Sequence, residues 1–129
     1  MRLPFVAGFP EPYKGKIGGM SDFVLALTTL PADFDTSTLA QDLVGSGLAA
    51  CVTILPGIRS VYTWKGVPQI DQEQQLFIKT TTSQVDPLWD LLSDRHPYDV
   101  PEFIVVPVID GSEEYLKWID TSVGPKGES

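Results

Sequence analysis

The sequence predicts an α+β domain with a ferredoxin-like split βαβ sandwich, in the order βαββαβ followed by a C-terminal helix. Three observations predict it. Apolar runs of strand length alternate with segments of helical spacing. Two of the strands are separated only by a short glycine-containing turn. The 129 residues are enough for one domain with one core. This order is typical of an antiparallel sheet with helices on one face.

The domain begins with a strand and a helix. Phe23–Leu30 is a short apolar run that ends at Pro31, which is typical of a buried strand. Asp35 or Ser37 is placed to cap the helix that follows. Five apolar residues follow helical spacing there: Leu39, Ala40, Leu43, Val44 and Leu48. Gly47 lies near the expected end of this helix.

A long central hairpin comes next. Cys51–Leu55 begins a strand that is interrupted at Pro56-Gly57 and resumes over Ile58–Trp64, which indicates a bulge or bend. The turn is predicted at Lys65-Gly66-Val67-Pro68, and the next strand over Gln72–Thr82. This hairpin is long for a small sheet, so its apolar tip is expected to project and to pair with other subunits.

The last elements are a helix, a strand and a helix. Asp86-Pro87 is predicted to open the second helix, His96-Pro97 to close it, and Leu88, Leu91 and Leu92 to form its buried stripe. Phe103–Ile109 is a β-branched strand. Gly111-Ser112 begins the last helix, whose inward residues are expected to be Tyr115, Trp118 and Ile119.

We expect the domain to span residues 21–124. Residues 1–20 contain three prolines and no sustained periodicity, which favours a flexible leader or a non-native extension with Met20 as a plausible native start. Residues 125–129 are expected to form a disordered tail.

Composition excludes several classes of protein. A single cysteine cannot form an intramolecular disulfide, and no apolar run approaches the ~20 residues that span a bilayer. We therefore expect a cytoplasmic protein with no membrane partner. The net charge is −8, and residues 21–129 hold six basic and sixteen acidic groups. Such an acidic body argues against nucleic acid as a partner.

A set of short motifs then resembles a known family in both content and order. The motifs are Leu48-Ala49-Ala50-Cys51, Pro56-Gly57, Ser60-Val61-Tyr62-Thr63-Trp64-Lys65-Gly66, Glu73, Ile78-Lys79-Thr80, His96-Pro97-Tyr98, Pro101-Glu102 and Tyr115-Leu116-Lys117-Trp118. They cover about residues 22–123 and resemble the CutA divalent-cation tolerance proteins. The resemblance implies a homotrimer that binds divalent metal ions such as Cu²⁺ and is not an enzyme. It also implies kinship with the PII signalling proteins, which bind small effectors in clefts between subunits.

The resemblance implies His96 and Glu73 as metal ligands. His96 is the only histidine, and imidazole suits copper, zinc or nickel, although a hydrogen-bonded structural histidine is the alternative. The alternative for Glu73 is a solvated strand charge beside Asp71, and Asp71, Glu73 and Glu102 are candidates for one acidic cluster. Where the family has a third ligand, a cysteine, this chain has Thr28, which argues against Cu(I) selectivity.

The remaining candidates are aromatic and basic residues expected at subunit contacts. Trp64, Lys79, Tyr98 and Trp118 are predicted to line an inter-subunit cleft, and Tyr62 and Trp64 to anchor the trimer interface. Lys79 either neutralises local carboxylates or binds an anionic effector. The second interpretation gives the alternative function, a PII-like regulatory trimer. A stable assembly scaffold with incidental metal affinity is a third hypothesis.

Catalysis is not expected from the sequence. It contains no GxSxG, P-loop or dinucleotide-binding motif. Cys51 lies in an apolar stretch and has no cation near it in sequence, so we interpret it as a packed structural thiol.

Overall fold

The computed structural model describes residues 22–125. The leader predicted over residues 1–20 and all but the first residue of the predicted tail lie outside this range. The elements are β1 (Phe23–Pro31), α1 (Thr36–Gly45), β2 (Cys51–Trp64), β3 (Val67–Thr81), a short 3₁₀ turn (Thr82–Gln84), α2 (Val85–Arg95), β4 (Ile104–Pro107) and α3 (Glu113–Ser122). The predicted α+β order is therefore confirmed. No helix within the described range has the length and apolarity that a membrane crossing requires.

The four strands form one sheet in the order β2-β3-β1-β4, and every neighbouring pair is antiparallel. Successive strand residues point to opposite faces, so one face receives Ala26 and Ile78 while the other receives Leu25 and Lys79. The first face packs against α1 and α2 to make the core. Its fully buried members are Ala26, Leu30, Leu39, Leu43, Ala49, Leu76, Ile78, Leu88 and Leu92.

Helix α1 begins and ends at residues with a clear local role. The Asp35 side chain is the N-cap and accepts from the Thr38 backbone N–H at 3.1 Å. A hydrogen bond from the Thr38 hydroxyl, followed by this backbone bond, lowers the pKa of Asp35. Gly47 follows the helix with φ of +78°, and a Cβ added there would lie 1.9 Å from the Gly124 carbonyl oxygen. The cap and the chain reversal predicted from the sequence are both present. Because Gly47 has no side chain, it also leaves room for the segment that follows α3.

The hairpin is longer and its turn tighter than predicted. Only Lys65 and Gly66 connect the strands, with φ of 51° and 79°, which is the two-residue turn that suits strand twist. Consequently β3 begins at Val67 rather than Gln72. The bulge predicted at Pro56-Gly57 is confirmed as a register shift between Leu55 and Ile58.

The later elements differ from prediction at their ends. Helix α2 begins at Val85 after the 3₁₀ turn, so Asp86-Pro87 does not open it. Proline is tolerated there because backbone N–H groups in a first turn have no intrahelical partner. Strand β4 is only four residues long, whereas seven were predicted.

Helix α3 buries fewer residues than its periodicity suggests. Ser112 is its N-cap, as predicted, and accepts from the Tyr115 backbone N–H. Ile119 is 3% exposed, but Tyr115 and Trp118 are 42% and 45% exposed, so the prediction that all three point inward is wrong within one chain. The helix contacts β3 and β1.

Candidate functional site

His96 is buried and both of its ring nitrogens are hydrogen-bonded. It follows the last residue of α2, in extended conformation, and is 8% exposed. Nε2 lies 2.7 Å from the Thr29 carbonyl oxygen, and Nδ1 accepts from the Tyr98 backbone N–H at 3.1 Å. A carbonyl only accepts, so Nε2 carries the proton and the ring is neutral. Burial lowers the pKa of His96, against smaller raising effects from the Thr29 bond and the Glu73 charge.

Glu73 is a buried carboxylate beside the same tyrosine. It lies on β3 opposite Pro31 and Ile58, and it is 3% exposed. The Tyr98 hydroxyl donates to Glu73 Oε2 at 2.7 Å. Burial, followed by this hydrogen bond, raises the pKa of Tyr98 well above its usual range. The structure thus brings His96 and Glu73 together around Tyr98. Its backbone N–H donates to His96, and its hydroxyl donates to Glu73.

Of the neighbouring acidic residues, Asp71 lies on β3, whereas Glu102 lies in the segment before β4. Asp71 lies two residues from Glu73 on the same face and accepts a short hydrogen bond from the Tyr62 hydroxyl. This bond is the main cause of the raised pKa of Tyr62. A carboxylate oxygen of Glu102 accepts from the side-chain nitrogen of Gln75 on β3 at 3.5 Å. Within residues 22–125 no three His, Cys, Asp or Glu side chains are arranged to hold a metal ion together.

Thr28 lies on the opposite face of the sheet from Glu73. It is paired with Leu76 in the core and is 0% exposed. Its hydroxyl is a buried side-chain oxygen without a hydrogen-bond partner. Because strand side chains alternate between faces, Thr28 is not positioned to complete a site with Glu73.

A second candidate region lies under α3. Lys79 Nζ is 5.7 Å from the centroid of the Tyr115 ring, and the rings of Tyr115 and Trp118 are 5.4 Å apart. An adjoining cavity of about 220 Å³ is lined by Val24, Leu25, Lys79, Val108, Asp110, Gly111, Tyr115, Leu116 and Ile119. The sheet register also pairs Lys79 with Cys51 on the neighbouring strand.

The four residues predicted for one cleft lie in separate places within a single chain. Lys79 and Trp118 are joined through Tyr115, whereas Tyr98 contacts Glu73, six residues and about 20 Å along β3 from Lys79. Trp64 is half-buried beside the hairpin turn. A shared cleft made with other subunits stays a prediction. Sequence reasoning missed the link through Tyr98, although the two-residue spacing from His96 allows a local side-chain-to-backbone bond.

The face of the sheet away from α1 and α2 carries several exposed apolar side chains. Leu55, Ile104 and Val106 are 48%, 46% and 39% exposed on this face. Near the hairpin tip, Val61 and Ile70 are 73% and 67% exposed. Apolar surface on this scale is typical of a protein interaction site.

Comparison with known proteins identifies the family. The family described as CutA1 divalent ion tolerance protein matches residues 24–122. "Divalent-cation tolerance protein CutA" of Pectobacterium atrosepticum is 43% identical over 104 residues, covering 81% of this chain and 94% of that protein. "Protein CutA, chloroplastic" of Arabidopsis thaliana is 43% identical over 99 residues, covering 77% of this chain and 54% of that protein.

Solved structures agree with the sequence matches. The crystal structure of CutA1 from Oryza sativa aligns with a TM-score of 0.77 and 39% identity, covering 84% of this chain and 97% of that one. A Nostoc protein described as a PII-like protein CutA aligns with a TM-score of 0.73 and 31% identity, covering 79% of this chain and 98% of that one. This chain therefore belongs to the CutA1 family of divalent ion tolerance proteins.

Proposed function

We propose that this protein binds divalent metal ions as a homotrimer, with His96 and Glu73 as the protein ligands. The observation that carries the proposal is the hydrogen bond from His96 Nε2–H to the Thr29 carbonyl. Metal-bound histidines usually donate their second ring N–H to a carbonyl or carboxylate, which fixes the tautomer and the ring orientation. In this chain that bond leaves Nδ1 as the unprotonated nitrogen, and its lone pair accepts from the backbone N–H of Tyr98, whose hydroxyl binds Glu73.

The donor set favours borderline divalent cations. One imidazole nitrogen and one carboxylate oxygen suit Cu²⁺, Zn²⁺ or Ni²⁺, with water in the remaining coordination positions. The fully buried Thr28 offers no soft thiolate, so Cu²⁺ is favoured over Cu(I). Within residues 22–125 the site offers two protein ligands, so we expect moderate affinity, consistent with a metal that is exchanged rather than retained.

The trimer is supported by the exposed apolar side chains of this sheet face and by the hairpin. Ile104 and Val106 on β4 and Leu55 on β2 expose apolar surface in one chain, and further copies of the chain would bury it. The two outer strands of the sheet, β2 and β4, also leave backbone groups available for pairing. We propose that three copies cover these faces in the cytoplasm. The expected mass in solution is three times 14.1 kDa, and a monomeric mass would refute the assembly.

We further propose that the protein acts by binding rather than by catalysis. Both ring nitrogens of His96 are hydrogen-bonded, one to the Thr29 carbonyl and one to the Tyr98 backbone N–H. The polar contact of the Cys51 sulfur is the Thr53 hydroxyl at 3.9 Å. Neither arrangement pairs a nucleophile with a base.

Calorimetric titration of Cu²⁺ and Zn²⁺ into metal-stripped protein tests the metal site. We expect micromolar binding that is lost in His96→Ala and strongly weakened in Glu73→Ala. Asp71→Asn is the matched control, since it removes a neighbouring carboxylate from the same strand and the same face. Binding that all three variants retain would mean that the acidic surface merely collects cations, and the proposed site would be wrong.

A second candidate function is recognition of a small anion beside Lys79. Within residues 22–125 no carboxylate is paired with this ammonium, whose contact is the Tyr115 ring at the edge of a cavity. The solved PII-like relative favours the same class of function. Thermal shift with phosphate and citrate tests it: a rise in Tm is expected in the parent protein and in Lys117→Ala, but not in Lys79→Ala. No rise in the parent protein would refute it.

A further inference from the structure

Building on the proposed metal site, we infer that Tyr98 is the residue that closes this site. Its backbone N–H donates to Nδ1 of His96 and its hydroxyl donates to Oε2 of Glu73. A cation therefore reaches the two ligands only after Tyr98 has moved. The metal competes with one tyrosine for both ligands, which makes Tyr98 a positioning residue that sets the affinity.

The bond to His96 is the first half of the closure. A neutral imidazole has a single nitrogen lone pair, and here that lone pair lies on Nδ1 and accepts from the Tyr98 amide at 3.1 Å. A metal ion needs the same lone pair. Nε2 keeps its proton and its 2.7 Å bond to the Thr29 carbonyl when the amide leaves, so the ring stays in place while Nδ1 becomes available.

The bond to Glu73 is the second half. The carboxylate is only 3% exposed and its Oε2 accepts from the Tyr98 hydroxyl at 2.7 Å. The Tyr98 ring also packs 4.9 Å from the His96 ring. One residue thus bridges the two ligands, through its backbone N–H to His96 and its side-chain hydroxyl to Glu73.

The hydroxyl is the part of Tyr98 that a substitution can remove cleanly. Tyr98→Phe keeps the ring and the backbone N–H but loses the bond to the carboxylate, so the closed arrangement is weakened while both ligands remain. A hydrogen bond to an ionised group contributes enough to shift such an equilibrium about tenfold or more. We expect the metal affinity of Tyr98→Phe to rise by about that factor.

The matched control is the neighbouring tyrosine–carboxylate pair. Tyr62→Phe removes the same group from a bond to Asp71, two residues from Glu73, without touching either ligand. Zn²⁺ is titrated calorimetrically into metal-stripped full-length parent, Tyr98→Phe, Tyr62→Phe and His96→Ala. Tighter binding in Tyr98→Phe alone supports the closure. Unchanged or weaker binding in Tyr98→Phe, with loss of binding in His96→Ala, overturns it and leaves the metal site standing. Retained binding in His96→Ala overturns the metal site itself.

A second measurement on the parent protein needs no substitution. His96 is the only histidine, so its two ring ¹⁵N resonances are unambiguous in a long-range proton–nitrogen spectrum. On addition of Zn²⁺ we expect the Nδ1 resonance to shift while Nε2 keeps its proton. A shift at Nε2 with loss of its proton, or no shift at either nitrogen, would show that the cation does not replace the Tyr98 amide.

Discussion

The hydroxyl of Thr28 is expected to destabilise the protein, and replacing it with a methyl group in Thr28→Val should be stabilising. The side chain is 0% exposed in the core, and its oxygen has no hydrogen-bond partner. Burying a hydroxyl without a partner costs about 1–3 kcal/mol. Valine has nearly the same shape and fills the same space. We therefore expect the free energy of unfolding to rise by about 1–2 kcal/mol.

Thr80 provides a matched control on the same face of the sheet. It is also 0% exposed, but its hydroxyl donates to the Leu48 carbonyl at 2.8 Å. Thr80→Val loses that bond and leaves the carbonyl without this donor, so it should lower the free energy of unfolding by about 1 kcal/mol. The same threonine-to-valine change is thus expected to raise the free energy of unfolding at position 28 and to lower it at position 80.

Urea unfolding of both variants measures the difference. Protein concentration is held fixed because assembly makes the apparent stability concentration-dependent. For a domain of this size a change of 1 kcal/mol corresponds to about 4 °C in Tm. Destabilisation by Thr28→Val, or effects of the same sign at the two positions, would refute the reasoning. Stability would then not depend on whether the buried hydroxyl has a hydrogen-bond partner.

Two further predictions concern the segment after α1 and the titration of His96. Gly47→Ala should cost at least about 1–2 kcal/mol in urea unfolding, because the residue has φ of +78° and the new Cβ would meet the Gly124 carbonyl. Gly45→Ala should be neutral or stabilising, because Gly45 is helical and a Cβ there would meet no atom outside its own helix within 4 Å. Equal effects would refute this. Burial lowers the pKa of His96 below that of the unfolded chain, so the unfolded state takes up the proton first. The stability of metal-free protein should therefore fall as pH drops below about 6.5, and His96→Gln should flatten that fall. An unchanged pH profile in His96→Gln would contradict the assignment.

Local sequence determined most of the elements and several of their ends. The cap at Asp35, the bulge at Pro56-Gly57 and the start of α3 at Ser112 were all predictable, because each depends on residues within a few positions of one another. The errors also have local causes. The turn at Lys65-Gly66 is tighter than its glycine and proline content suggested, and the 3₁₀ turn displaced the start of α2.

The chemistry of the candidate site was decided by tertiary structure. The motifs alone associate His96 and Glu73 only through family resemblance, and only the fold shows that Tyr98 holds both. Likewise, Thr28 stands in the sequence where a ligand was expected, but the register of β1 with β3 directs it into the core. Helical spacing predicted Tyr115 to point inward, but the partial packing of α3 leaves it beside Lys79. The sequence by itself determined which segments are strands and helices, since those preferences are local. Contacts between distant segments depend on register and on packing across the sheet, and these exist only once the chain has folded.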